Sequence, residues 1–248
     1  MRVPLSCLLL CCLVPLTAGA EVDWAEGVIR VTGSGPPDFR AQNPAQARLA
    51  AEKSAQEDAL RNVLASAAAL PVQPGQSLET LFNAGPDRER LVQLVRSFRV
   101  REKRYYSDNG LQVDVELPLA ALAAAAIQGP PAGSINTKGE WEFTGLLVDA
   151  RGLGVLPVLA PRLVDESGQV LYAPEWLSAE ARGKVGVAAF FKGMERALKH
   201  PRVGDRPLVL KASAVKGAEL VLSSSAAAKL RKTRNGWLSD GRVGVVVQ

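Results

Sequence analysis

Ala47, Ala51, Ala55, Ala59 and Val63 follow one another at four-residue steps, and this spacing constrains the fold more than any other feature of the sequence. Residues four apart share one face of an α-helix. These five therefore form a smooth ridge of small side chains, and a helix carrying such a ridge can lie close against a sheet. Leu49, Leu60 and Leu64 are expected to widen the apolar face, and Glu57 to pair with Arg61 one turn on. Asn43 is a capping residue and Pro44 suits the first helical position, so the pattern predicts a helix over residues 45–68. Pro71 and Pro74 end it.

The flanking residues supply a sheet for this helix. Residues 27–32 alternate with the period of a strand, and the pattern breaks at Gly33-Ser34-Gly35-Pro36-Pro37, read as a turn. Short helices are expected over residues 77–83 and 87–96. Residues 98–103 and 112–117 then alternate around Ser107-Asp108-Asn109-Gly110, a strong hairpin signal. The basic row Arg99, Arg101, Lys103 can face the acidic row Asp114, Glu116. Pro118 opens an alanine-rich helix. The order β-α-β-β-α predicts helices packed on one face of a small sheet. Residues 127–137, rich in Pro, Gly, Ser and Asn, read as a linker. Residues 138–248 read as a second, more β-rich module. It has strands over 141–150, 162–164, 169–172, 207–214, 219–222 and 243–247, a helix over 190–199, and a short helix over 226–231 capped by Ser223–Ser225. The expected fold class is α+β, with two sheet-plus-helix modules over residues 21–126 and 138–248.

The first twenty residues read as an address. Arg2 is the only charge before Glu21, the run from Val3 to Leu16 is almost wholly apolar, and Ala18-Gly19-Ala20 is the small-x-small pattern of a signal-peptidase site. Cleavage is expected between Ala20 and Glu21. The alternative is an uncleaved anchor, although the run is short for a span of about 20 residues. Cys7, Cys11 and Cys12 all lie in this segment and fit a lipobox poorly. Removing twenty residues from the 248 leaves 228 without cysteine, so the remaining chain has no disulfide, thiolate metal site or cysteine nucleophile. Its stability must come from packing, and the length suffices for a core. Without Arg2 the chain keeps 29 basic and 25 acidic residues, a net charge of +4, which is compatible with peripheral contact with an anionic membrane. Aromatic residues make up only 5% and are scarce among the basic stretches, and an exported chain of this kind is not expected to bind nucleic acid.

The chemistry-bearing residue types are sparse. The sequence has one histidine, His200, just before Pro201; a cation there suits the negative end of a helix. Gly33-Ser34-Gly35 and Gly152-Leu153-Gly154 each lack the third glycine and the following helix of a nucleotide-binding loop. No G-x-S-x-G elbow occurs. Asp149 ends an apolar strand, and with a second carboxylate among Glu140, Glu142, Asp165 and Glu166 it could perform acid–base hydrolysis. Against that stands a turn in which Asp149 bonds Arg151. No cofactor or metal site is expected. Arg96, Arg99, Arg101, Lys103 and Arg104, followed by Tyr105 and Tyr106, form the densest basic stretch and a candidate interaction patch.

Three stretches carry a family resemblance: VIRVTGSGPPD, NPAQARLAAEKSAQEDALRNVL and FRVREKRYYSDNGLQVDVELPL. In order and spacing they resemble the domain of LPP-twenty-type bacterial envelope lipoproteins, which is similar to the N-terminal domain of flagellar assembly protein T. Residues 138–248, with TGLLVDARGLG and DRPLVLKA, resemble the tails of secreted bacterial proteins that carry this domain. The resemblance implies export to the periplasm or outer membrane. It also implies a non-catalytic role in envelope or flagellar assembly, through protein partners or self-association. Two alternatives remain from the residues themselves: a cell-wall hydrolase built on Asp149, and a small-ligand binding module using a cleft between the two domains.

Overall fold

A computed structural model of the chain describes residues 20–83, 85–127, 135–138 and 142–248. The leader up to Gly19, most of the expected linker, Glu140 and Trp141 lie outside the described residues. The fold is α+β, with the larger share of strands in the second half.

The first half begins with β1 (Glu21–Asp23) and β2 (Val28–Gly35), followed by α1 (Pro44–Ala68). A small hairpin comes next, β3 (Pro71–Gln73) and β4 (Gln76–Ser77), then α2 (Leu78–Leu81) and α3 (Gly85–Val95). The long hairpin β5 (Arg99–Tyr105) and β6 (Leu111–Pro118) leads into α4 (Leu119–Ala126). The main sheet has the order β1-β2-β6-β5 and is antiparallel throughout. On β6, Leu111, Val113, Val115 and Leu117 are buried, while the alternate residues are half-exposed. This is the pattern of a sheet with one covered face.

The ridge of α1 covers that face. Ala47, Ala51, Ala55, Ala59, Val63 and Ala67 are its buried residues, and Asn43 caps the helix by accepting from the Gln46 N–H at 2.9 Å. The glycines opposite the ridge explain how close it lies. A Cβ on Gly33 would stand 2.2 Å from the Ala55 carbonyl oxygen, and one on Gly35 1.9 Å from that of Ala51. Gly33-Ser34-Gly35 is therefore the last three residues of β2 and not the turn expected from its composition. Its glycines are there because the helix backbone occupies the space of a side chain.

α1 also crosses the sheet diagonally. Near its start Arg48 donates to Asn109 at 3.4 Å and Glu52 pairs with Lys103 of the β5–β6 hairpin. In its middle Asp58 accepts the Ser34 N–H at 2.9 Å, and Asn62 donates to the Thr32 carbonyl at 3.1 Å. These two side chains occupy backbone groups of β2 beyond the point where the short β1 stops. Two expectations about α1 do not hold. Leu49 lies about half a turn from the ridge and is 70% exposed. Arg61 pairs with Asp58 at 3.0 Å and not with Glu57, because Asp58 is already held beside the sheet by Ser34 and Asn62.

The second half forms a mixed sheet in the order β10-β13-β7-β11-β12-β8-β9. Its strands are β7 (Gly145–Asp149), β8 (Arg162–Asp165), β9 (Val170–Tyr172), β10 (Ala189–Phe191), β11 (Pro207–Lys216), β12 (Glu219–Leu222) and β13 (Val243–Val246). β7 is an interior strand, lies parallel to both β11 and β13, and is buried on both faces, which its unbroken apolar run allows. α5 (Ala179–Lys184) and α7 (Ser224–Lys232) contribute Ala181, Ala227 and Leu230 to one face, and α6 (Met194–Leu198) places Ala197 on the other. Ser223 caps α7 as expected. The expected strand over 141–150 begins only at Gly145, since Thr144 instead turns to bond the Val203 carbonyl and the Arg206 N–H. The expected helix over 190–199 is a strand followed by a short helix. Phe190 and Phe191 pair with Val245 and Val246, and Gly193 (φ 101°) breaks the chain between the two elements.

Candidate functional site

The two sheets meet over a broad junction. The Trp24 carbonyl accepts from the Phe190 N–H at 3.1 Å, and the Trp24 ring stands edge-on to the Phe190 ring at 5.9 Å. Leu159 and Ala160 bond the carbonyls of Pro71 and Val72 and bury their side chains in the core of the first half. Arg196 pairs with Glu26 at 2.9 Å.

Beside these contacts lies a cleft of about 600 Å³, walled by residues of both halves. This is within the size range of small-molecule sites, which favour domain interfaces. Val28, Pro118 and Ala120 form its wall from the first half; Lys184, His200 and Arg202 approach from the second. Arg202 is its most constrained group. The guanidinium donates to the carbonyls of Gly241 at 2.9 Å, Gly186 at 2.7 Å and Val185. Burial draws its pKa down to about 10, so it remains a cation at neutral pH. Two of these carbonyls follow the end of α5, where a cation is favoured. Arg202 thus ties the α5 turn to the β13 approach. Lys184 is paired with Glu180 at 2.7 Å.

His200 lies at the edge of the cleft with its ring 5.0 Å from that of Phe191. Its Nδ1 accepts the Arg202 N–H at 3.2 Å, which leaves the proton of the neutral ring on Nε2, 3.9 Å from Glu26. Burial lowers its pKa, and Glu26 only partly opposes this. The ring, read from the sequence as favourable to the helix end when protonated, is therefore neutral at pH 7. Neither Arg202 nor Glu26 stands out in the sequence, because their roles depend on contacts 16 to 170 residues away along the chain.

Asp149 closes β7, and Arg151 grips it with two bonds of 2.8 Å plus its own backbone N–H at 3.2 Å. These bonds, the Arg151 side chain foremost, hold the Asp149 carboxyl below the usual range. Asp165 does not approach it. β11 and β12 intervene, which sets the two about 14 Å apart at the usual strand spacing, more than the ~9.5 Å upper separation of an inverting glycosidase pair. Asp165 instead accepts from Ser167, Gln169 and Arg231, and these bonds lower its pKa strongly. Glu166 accepts from the Ser224 N–H at 3.1 Å, and Glu142 lies beyond the opposite end of β7. Among the described residues no group of three or more His, Cys, Asp or Glu side chains could hold a metal ion.

The basic stretch lies mostly on β5, at the edge of the first sheet. A bulge at Arg101 sets both Arg101 and Glu102 opposite Asp114. Arg104 pairs with Asp114 and Glu102, and Lys103 reaches Glu52 on α1. Glu116 turns to Arg30 of β2 at 3.3 Å and not to the β5 row. The acids of β6 and α1 thus neutralise Lys103 and Arg104, while Arg99 and Arg101 form no ion pair among the described residues. Arg96 follows α3, just before the strand.

Residues 145–248 match the family model of the second domain of Treponema pallidum Tp0624. The match begins at the first residue of β7 and takes in all seven strands of the mixed sheet. No curated protein matches the chain. The mixed sheet and its helices are thus similar to the second domain of that Treponema protein.

Proposed function

We propose that the chain is exported and acts as a non-catalytic interaction protein of the cell envelope, in the periplasm or at the outer membrane, with a role in envelope or flagellar assembly. The leader motif ending at Ala20 and the resemblance of residues 21–126 to the LPP-twenty type support export and the envelope setting. The observation that carries the interaction role is the open β5 edge, seven residues long, with Arg99 and Arg101, which form no ion pair among the described residues. Among the described residues no helix is long and apolar enough to cross a membrane. Mass spectrometry of the native N-terminus tests export: a chain beginning at Glu21 is expected, and a chain beginning at Met1 overturns the reading. Crosslinking in envelope fractions, with recovery of defined partners or of self-associated chain, tests the interaction role.

A second reading is favoured by the cleft between the halves, whose volume suits a small ligand held near Arg202 and Arg242. A thermal-shift screen with small carboxylates and phosphates tests it. Hydrolysis through Asp149 has less support, since Arg151 already gives that carboxylate a turn-closing role.

A further inference from the structure

We propose that β5 receives an added strand from a partner protein, and that the partner segment alternates acidic and apolar side chains. This deepens the interaction reading above and rests on it. The two edges of the first sheet are treated differently. At one edge β1 covers the start of β2, and the side chains of Asp58 and Asn62 occupy backbone groups at Ser34 and Thr32. That edge offers a new strand no more than the three residues of β1. At the other edge β5 pairs only with β6, and no described residue bonds its outer backbone groups. Six of its seven residues are exposed. A free edge of this length is a template for strand addition, with main-chain hydrogen bonds for affinity and alternate side chains for specificity.

The side chains of β5 define that specificity. On the face turned away from α1 it carries Arg99, Arg101, Glu102 and Arg104; Arg104 pairs with Glu102 and Asp114, which leaves Arg99 and Arg101 without an ion pair among the described residues. On the α1 side it carries Val100 and Tyr105, 42% and 56% exposed, with Lys103 between them already paired to Glu52. Cross-strand neighbours on one face lie about 5 Å apart. An added strand would therefore place one row of side chains beside Arg99 and Arg101 and the alternate row beside Val100 and Tyr105. Carboxylates suit the first row and aliphatic side chains the second. A second copy of β5 fits less well, because antiparallel self-pairing brings two strands together that each carry four cations, Arg99, Arg101, Lys103 and Arg104, against one acid, Glu102.

The test uses the whole exported chain and a fluorescent octapeptide of alternating Glu and Val, read by anisotropy at low and physiological salt. A Glu-Pro repeat of equal length and charge serves as the control, since it cannot form a strand ladder. The expected result is saturable binding of the Glu-Val peptide and at least tenfold weaker binding of the Glu-Pro peptide. Amide exchange along β5 should slow at least tenfold on binding. Arg99→Glu/Arg101→Glu should weaken binding at least tenfold; if that pair misfolds by circular dichroism, Arg99→Gln/Arg101→Gln should still weaken it several-fold. Equal affinity for the two peptides, absence of saturable binding, or binding without protection of β5 overturns the proposal. Envelope crosslinking separates this failure from that of the wider reading. Identical partners for wild type and Arg99→Glu/Arg101→Glu would leave the interaction role standing and remove β5 from it, whereas no partners for either chain would overturn both.

Discussion

Replacing Gly33 by alanine should lift α1 from its sheet. The added Cβ would stand 2.2 Å from the Ala55 carbonyl oxygen and 2.5 Å from the Ala59 nitrogen, where real Cβ contacts essentially never fall below 3.0 Å. The obstructing atoms are helix backbone, so no side-chain rotation relieves the clash. The helix must move by about 0.8 Å to bring the oxygen out to that limit. Such a shift opens gaps along the ridge from Ala51 to Val63, which packs against Ile29, Val31, Val113 and Val115. Overpacking of a close-packed site costs about 1–3 kcal/mol, and the backbone obstruction places this case near the upper figure. A loss of about 3 kcal/mol corresponds to a fall in Tm of roughly 6–12 °C for a chain of this size. Urea titration followed by circular dichroism measures the change, with Ser34→Ala as the control. Ser34 is exposed in the same strand and its N–H bond to Asp58 survives the substitution, so the control should change stability by no more than about 0.5 kcal/mol. A Gly33→Ala chain as stable as the control would refute the close approach of α1 to β2.

Other outcomes follow from single contacts. Asn43→Ala removes the cap of α1 and should cost about 1 kcal/mol in the same titration. Asp58→Ala/Asn62→Ala should speed amide exchange at Ser34, since its N–H loses its acceptor, while exchange in β6 stays slow. Arg202→Met leaves the Val185 and Gly186 carbonyls without a donor among the described residues, while the Gly241 carbonyl keeps the Val243 N–H, and should cost about 2–3 kcal/mol by urea titration. His200 has a lowered pKa in the folded chain, so the unfolded chain binds more protons just below pH 6.5. Its contribution is complete above that pH and is lost as the pH falls until the folded ring also protonates. His200→Asn should flatten this limb of the stability–pH curve while leaving the carboxylate limb at lower pH in place.

The local elements were legible in the sequence wherever their determinants are local. The Asn43-Pro44 start, the four-residue ridge, the Asn109-Gly110 turn and the Ser223 cap each rest on residues within one or two turns of each other, and each appears where its pattern places it. The errors share a different origin. Gly33 and Gly35 read as turn residues because composition cannot distinguish a glycine that bends the chain from one that admits a helix backbone. Phe190 read as helical, and only the pairing of β10 with β13, more than fifty residues later, makes it a strand. Nothing in the sequence identifies Asp58 as Arg61's partner, because its position is set by Ser34 across the helix–sheet contact.

The sequence by itself determined the α+β class, the ridge that fixes which face of α1 is buried, and the absence of cysteine beyond residue 12. Periodicity and composition are properties of neighbours along the chain, so they can be read without a fold. Tertiary structure alone decided the rest. It led β7 between two parallel partners, brought Glu26 to Arg196 and His200, and formed the cleft beside Arg202. It also covered part of one edge of the first sheet with Asp58 and Asn62 while leaving β5 open. Each of these depends on which distant segments meet, and that is set by the packing of whole faces rather than by any local pattern.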